Sequence, residues 1–363
     1  GSWKLAILTD SGSSLDLEKT GYGFYRGGFS GTPRGAPVDD LGRPLFHAES
    51  KTYQAATSDG QRWRWSLAEA VRANPDIRTE SLLIRARFLL SQFGVQTMRH
   101  LGIQPRRTAG KDDDLPAAGP WSVAGLTETE TIARLAGGVK RFDLPAEHNH
   151  IALLREAAHE GRGASAGQSA DLLAGIFENR QQYVRAAAAW REAIERFGPG
   201  SNSSRRKKLE QIINGWGQFE TARVSPVGSD TSVDFRFRNG SELTLEVFHV
   251  RVDQLLNDVK VHLRRKAIRI DYNSTNVENI GYRLMQQDQQ KYVGQRVRTW
   301  THKLNPRPGH RDRLVTISTG LKQAGCYLLT ARMTGGNHSR IVIWKSDTAL
   351  VHKRIDGGDL YFV

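Results

Sequence analysis

The sequence predicts an α+β chain, with an N-terminal α-helical region followed by a C-terminal antiparallel β-sandwich that carries a helical insertion. Three observations lead there. Between residues 150 and 213, apolar residues recur at three- and four-residue steps, the period of a helix with one buried face. Residues 231–250 alternate apolar and polar, and short runs of the same kind return about every eight to twelve residues to the end of the chain. Between those runs, Leu255, Leu256, Val259 and Leu263 put one amphipathic helix over about Asp253–Arg265. A chain of 363 residues is long enough for more than one core. The predicted division is an irregular segment at 1–58, a helical domain at 59–220 with a helical hairpin at 168–199, and a β-domain at 221–363 with its helical insertion at about 253–292.

The first segment is dense in glycine and proline, which disfavour helix and strand interiors, yet it keeps aromatic anchors at Tyr22, Phe24, Tyr25, Phe29 and Phe46. It reads as an ordered loop. A helix follows from Asp59 to about Val71, stopped ahead of Pro75, and a second covers about Thr79–Phe93, where Leu82, Leu83, Ala86, Leu89, Leu90 and Phe93 form a stripe. Trp63 and Trp65 stand two apart and so point to different helix faces, which favours packing over a stacking platform. Lys111-Asp112-Asp113-Asp114 lacks the spacing of a calcium loop and reads as solvated. Thr127-Glu128-Thr129-Glu130 has capping-box spacing, so a short helix is expected through Ile132 and Leu135, ended by Gly137-Gly138.

From Ala170 to Pro199 the spacing of Leu173, Ala174, Phe177, Ala186 and Trp190 matches one tetratricopeptide repeat, and the pattern does not return one repeat later. One helical hairpin is expected, with small residues letting the helices approach and Phe177 and Trp190 filling the seam. Arg205-Arg206-Lys207-Lys208 follows on the outer face of a further helix whose apolar side is Leu209, Ile212 and Ile213. After Trp216 the β-pattern begins. Val233, Phe235 and Phe237 share a face, and Asn239-Gly240 predicts a hairpin turn into Leu243–Phe248. Further strands are expected at 297–301, 314–318, 327–333, 339–344, 348–353 and 360–363, with Gly335-Gly336-Asn337 as a turn.

Net charge is +14 and lies mostly in the C-terminal part, where residues 201–363 hold 27 Lys and Arg against 15 Asp and Glu. Such a surplus attracts polyanions without naming one. One cysteine rules out an internal disulfide. No run reaches the roughly 18 apolar residues of a membrane helix.

No catalytic, cofactor-binding or metal-ligating residue is expected. Glu147-His148-Asn149-His150 lacks the H-E-x-x-H spacing of a zinc helix and reads as a polar helix start. Gly163-Ala164-Ser165-Ala166-Gly167 matches the nucleophile elbow in letters, and Gly161, Gly163 and Ala166 the dinucleotide fingerprint, but both need a preceding strand and Ile151–His159 reads as helix. His310-Arg311-Asp312 shares three letters with a kinase catalytic loop and nothing more. Cys326 follows Gly325 in an apolar run with no cation or helix start nearby to lower its pKa, so it reads as a small buried strand residue.

Gly325-Cys326-Tyr327-Leu328-Leu329-Thr330-Ala331, then Ile341–Thr348, then Lys353 with Leu360-Tyr361-Phe362-Val363, resemble successive strands of the macroglobulin-like domains in bacterial α2-macroglobulin-type protease inhibitors. Lys291-Tyr292-Val293-Gly294 with Trp300, the hairpin ending in Trp190–Pro199, and Asp59–Trp65 are similar to the N-terminal region of large proteins of that kind. The resemblance implies a macroglobulin- or fibronectin-like sandwich, a bacterial envelope location, neighbouring domains in a longer parent chain, and proteases as the parent's targets. It further implies trapping by closure after a bait segment is cut, with a thioester in many members. The thioester text Cys-Gly-Glu-Gln is missing, since Tyr327 follows Cys326, and no bait loop is recognisable. The expectation is therefore a non-enzymatic scaffold fragment without cofactor or metal. The alternative is a basic module for nucleic acid or another polyanion, with contacts at Arg205, Arg206, Lys207, Lys208, Arg264, Arg265 and Lys266.

Overall fold

The computed structural model describes residues 36–95, 123–135, 138–220, 225–265, 289–348, 351–355 and 358–362. They fall into two compact units that divide between Ile212 and Ile213. The class is α+β. The aromatic anchors before Phe46, the Lys111–Asp114 run and most of the ambiguous stretch 276–294 lie outside the described residues.

The first unit opens on a tight turn in which Val38 bridges Pro44 and the Asp39 carboxylate accepts from the Leu41 and Arg43 amides. Phe46 then packs on Phe93 and on the His148 ring, with centroids 5.3 and 5.2 Å apart. Helix α1 (Asp59–Ala73) starts at Ser58, whose side chain caps Gln61, and ends at Asn74 ahead of Pro75. Helix α2 (Arg78–Phe93) buries Leu83, Ala86, Leu89 and Phe93 of the expected stripe and leaves Leu82 and Leu90 half-buried. Trp63 meets Phe88 edge-on at 5.0 Å and Trp65 meets Tyr53 at 5.7 Å, so both tryptophans are spent on packing.

The expected helix after Thr127 is instead a β-hairpin, β1 (Glu130–Leu135) against β2 (Gly138–Asp143). Thr131, Ile132, Ala133 and Leu135 are all buried, so both faces of this strand are covered and its apolar pattern mimics a short helix. Half of the capping-box contact forms all the same, because the Thr127 N–H donates to Glu130 Oε2 at 2.8 Å. The same carboxylate then binds Arg141 across the hairpin at 2.6 Å, which commits Glu130 to a strand.

Helices α3 (His150–Glu160), α4 (Gly163–Asn179), α5 (Tyr183–Phe197) and α6 (Ser204–Ile213) follow. Leu173, Ala174, Phe177, Ala186 and Trp190 are buried along the α4–α5 seam, and the Trp190 indole donates to Glu178 at 2.6 Å. The hairpin exists as the spacing predicts.

Among the described residues the second unit holds two larger sheets and one of two strands. One has five strands in the order β4 (Ser225–Pro226), β10 (His338–Ser346), β9 (Gly325–Met333), β6 (Glu242–Val250), β7 (Val293–Lys303). The other has three, β3 (Trp216–Phe219), β5 (Ser232–Arg238) and β8 (Arg313–Ser318). One apolar cluster takes Val233, Phe235, Phe237 and Ile317 from the small sheet and Leu243, Leu245, Leu329 and Ile343 from the large one. A two-stranded hairpin, β11 (Val351–Ile355) with β12 (Gly358–Phe362), completes the chain.

Asn239-Gly240 corrects the expected hairpin. The turn forms, with Asn239 at φ +58°, but β5 and β6 do not pair. Both strands aim their buried residues into one cluster from different sheets, so the turn carries the chain across the core. Gly240 fits there because a Cβ would lie 2.3 Å from the Met333 sulfur. Helix α7 (Val252–Arg265) buries Leu255, while Leu256 stays 46% exposed, so the predicted stripe is only partly used. A short α8 (Gln289–Tyr292) adds Tyr292 beside Leu255.

Replacing Leu329 by alanine removes the side chain at the middle of the shared cluster and is expected to destabilise the second unit by about 2–5 kcal/mol. Urea denaturation of Leu329→Ala checks it; a loss below about 1 kcal/mol contradicts the placement of that core.

Candidate functional site

Chemistry requires reactive groups that water and substrate can reach, and the groups that sequence motifs single out are held in structural positions. Cys326 is 2% exposed on β9, among Val250, Leu255, Tyr292 and Leu328. Burial pushes its thiol up to about 12, which leaves almost no thiolate at neutral pH. Ser165 lies inside α4, and the element before Gly163 is helix α3 with no strand, so the elbow geometry is absent. His310 bonds the Asn239 side chain at 2.9 Å, and Asp312 faces Arg238 at 3.7 Å. Among the described residues no group of three potential metal ligands converges.

The His148–His150 stretch is the start of α3. Asn149 caps it by accepting from the Ile151 and Ala152 amides. His148 reaches the His47 carbonyl at 3.2 Å. His150 has no exposed surface, and neither ring nitrogen has a hydrogen-bond partner. Burial, with the nearby Arg180 guanidinium, pulls its pKa down to about 3. Arg180 is itself fully buried and donates to the Thr127 and Glu130 carbonyls at 2.9 and 3.0 Å, fastening the end of α4 to the start of β1. No sequence motif marks this arginine; only its place after the helix ending at Asn179 hints at a clamp.

The seven candidate basic contacts divide between the two units, with Arg205, Arg206, Lys207 and Lys208 in the first. Arg205 turns inward, with Nε 2.5 Å from Asp171 and Nη1 donating to the Phe197 carbonyl at 2.8 Å, so it ties α4, the end of α5 and α6 together. Lys208 meets Glu178 at 3.3 Å. Arg206 and Lys207 are exposed on α6. Arg264 is exposed near the end of α7, in the other unit. The Arg265 side chain and all of Lys266 lie outside the described residues.

The second unit carries an open polar groove of about 500 Å³, lined by Gly217, Gln218 and Phe219 of β3 and by Asn337, His338, Ser339 and Arg340. Its geometry follows from how β3, a strand of the small sheet, runs away from the turn before β10. Gly215 still bridges Gly336 backbone to backbone. One step on, the Asn337 amide spans the gap, accepting from Gly217 N–H at 2.7 Å and donating to its carbonyl at 2.9 Å. The Ser339 hydroxyl then accepts from Phe219 N–H at 3.1 Å. The groove opens where these side chains hold the two edges apart.

No family model matches the chain, and no curated protein matches it. Among solved structures it is similar to a crystal structure of native alpha-2-macroglobulin from Escherichia coli spanning domains MG0-NIE-MG1, at 18% identity, over 39% of this chain and 42% of that one, with a TM-score of 0.27. It is also similar to one spanning domains NIE-MG1, at 17% identity, over 40% of this chain and 66% of that one, with a TM-score of 0.25. Both are pieces of one bacterial alpha-2-macroglobulin. The match covers less than half of the first of these structures. Superpositions of this extent carry nothing about activity.

His150 makes a pH prediction. Its folded pKa of about 3 lies below the ordinary 6.5, so below about pH 6.5 the unfolded chain takes up a proton that the folded unit refuses. Stability is therefore full at neutral pH and falls by about 1.4 kcal/mol per pH unit toward pH 3. Urea midpoints of the first unit at pH 7 and pH 5 should fall less in His150→Leu than in the wild type, and equal falls would contradict the assignment.

Proposed function

We propose that this chain is a non-enzymatic scaffold portion of a bacterial macroglobulin-like protein, whose parent traps proteases in the cell envelope. One observation carries the reading. The text that resembles the family, Gly325–Ala331, occupies the middle strand of the five-stranded sheet, where its residues, the sole thiol included, are committed to packing. A strand so placed builds a framework and offers no nucleophile. Since the chain has no Cys-Gly-Glu-Gln, thioester capture would be the work of other parts of the parent. Among the described residues no helix is long and apolar enough to cross a membrane.

The test is a parallel protease assay. The chain alone and its full source reading frame are each mixed with a panel of endoproteases, and cleavage of a large protein substrate and of a small peptide is followed. The full reading frame is expected to shield the large substrate while sparing cleavage of the small one, and the chain alone to do neither. Failure of the full reading frame to shield, or catalytic turnover by the chain, sinks the proposal.

The polyanion reading keeps one observation in its favour, the exposure of Arg206 and Lys207 on α6. With Arg205 and Lys208 engaged by carboxylates, that patch is small, and no DNA or RNA binding is expected near 0.15 M salt. Binding with a steep slope against log salt would put the polyanion module first.

A further inference from the structure

Strand β7 leaves one side of its main chain open. The five-stranded sheet ends on it, and among the described residues no strand pairs with its outer side. Hydrogen-bond parity fixes which groups face outward. The Leu304 N–H donates to the Ser241 carbonyl at 2.7 Å, one step beyond the Glu242–Lys303 pair of the ladder. Bonded and non-bonded pairs alternate along an antiparallel ladder. His302, Trp300 and Arg298 therefore turn their N–H and C=O groups to β6, and Lys303, Thr301 and Thr299 turn theirs away from it. The Thr334 N–H, donating to the Glu242 carbonyl at 3.2 Å, sets the same parity from the β9 side. Thr299, Thr301 and Lys303 are exposed, and among the described residues their outward groups have no partner. The regular edge stops at Val297, the extra residue of a bulge in the ladder and 44% exposed.

From Val293 to Lys303 the strand holds no acid. Its cations are not equally free. Arg296 is spent on Glu246 at 3.3 Å. Arg298 lies 4.8 Å over the Trp300 ring and donates to the Thr319 carbonyl at 3.1 Å, but meets no carboxylate among the described residues. Lys303 has no ion-pair partner there either, because Glu242 opposite it closes none. Arg298 and Lys303 project from opposite faces of the strand, with Trp300 half-buried between them on the core side.

We propose that the outer edge of β7 is completed by an extended acidic segment of a partner protein, which pairs with it as an added antiparallel strand. An open edge offers its N–H and C=O groups to any extended chain, and the side chains beside it choose among candidates. Opposite charges facing each other across a strand pair stabilise it, and like charges do the reverse. A second copy of β7 would bring the cations of both chains to one seam and no acid from the strand itself. A segment whose acids stand as far apart as Lys303 and Arg298 do places one carboxylate opposite each, on the matching face, with an apolar residue against Trp300. This edge is independent of the scaffold reading and of the groove beside β3.

The test uses the whole chain and a fluorescent peptide of about eight residues, Thr-Glu-Thr-Thr-Val-Thr-Glu-Thr. Saturable binding is expected. Methylating the backbone nitrogen of the central threonine, which faces Thr301, should abolish it, and methylating that of the valine beside it should not, because only the first N–H points at β7. Thr301→Pro should weaken binding about ten-fold or more at unchanged melting temperature, since the N–H it removes lies outside the ladder with β6. Lys303→Glu should also weaken binding, and a peptide with lysine in place of its first glutamate should restore it. Should Thr301→Pro lower the melting temperature, the two methylated peptides decide. Absence of saturable binding, equal binding of both methylated peptides, undiminished affinity in a folded Thr301→Pro, or a dimer of the chain that Thr301→Pro dissociates would overturn the proposal.

Discussion

The fold of the second unit depends on β9, whose first half is buried on both faces. Tyr327, Leu329, Ala331 and Met333 enter the cluster shared by the two sheets, while Cys326 and Leu328 enter a second cluster with Leu255 and Tyr292. A strand in that position cannot slip by one residue without exchanging two apolar sets of different size, so its register with β6 and β10 is pinned from both sides. The consequences spread outward. The small sheet must lie over one face, which is why the Asn239-Gly240 turn crosses the core, and α7 must lie over part of the other. What α7 leaves bare is the polar end of the same face.

The polar interior obeys a second rule, which is that cations are used as clamps on backbone carbonyls. Arg180 holds Thr127 and Glu130, Arg205 holds Phe197, and Lys345 reaches the Pro226 and Ser229 carbonyls. A buried donor left without a partner is costly, and these groups spend their donors on backbone carbonyls. Part of the basic surplus is therefore structural, and the formal charge overstates what the surface offers an anion.

Much of the architecture was legible in the sequence because single periodicities dominate it. The helical stripe around Leu173–Ala193 and the alternation of Val233, Phe235 and Phe237 were both readable, since each element buries one face. Cys326 was legible for the same reason, its alternation with Tyr327 separating the two clusters. The strand Glu130–Leu135 was not, because burial on both faces erases alternation and leaves a run that fits a helix equally well. Asn239-Gly240 declared a turn but not its plane, which depends on contacts such as Gly240 against Met333. The roles of Arg205 and Arg180 come from partners distant along the chain, Asp171 and Thr127, which no local pattern encodes.

The most direct test of the account is the alkylation rate of Cys326 by iodoacetamide, compared between native and urea-unfolded chain. A thiol covered by Leu255 and Tyr292, with its pKa raised to about 12, should label only through unfolding of the second unit, slower than the unfolded chain by a factor on the order of a thousand or more. Native labelling within about ten-fold of the unfolded rate would mean an accessible, activated thiol, and would contradict the reading of β9 as framework.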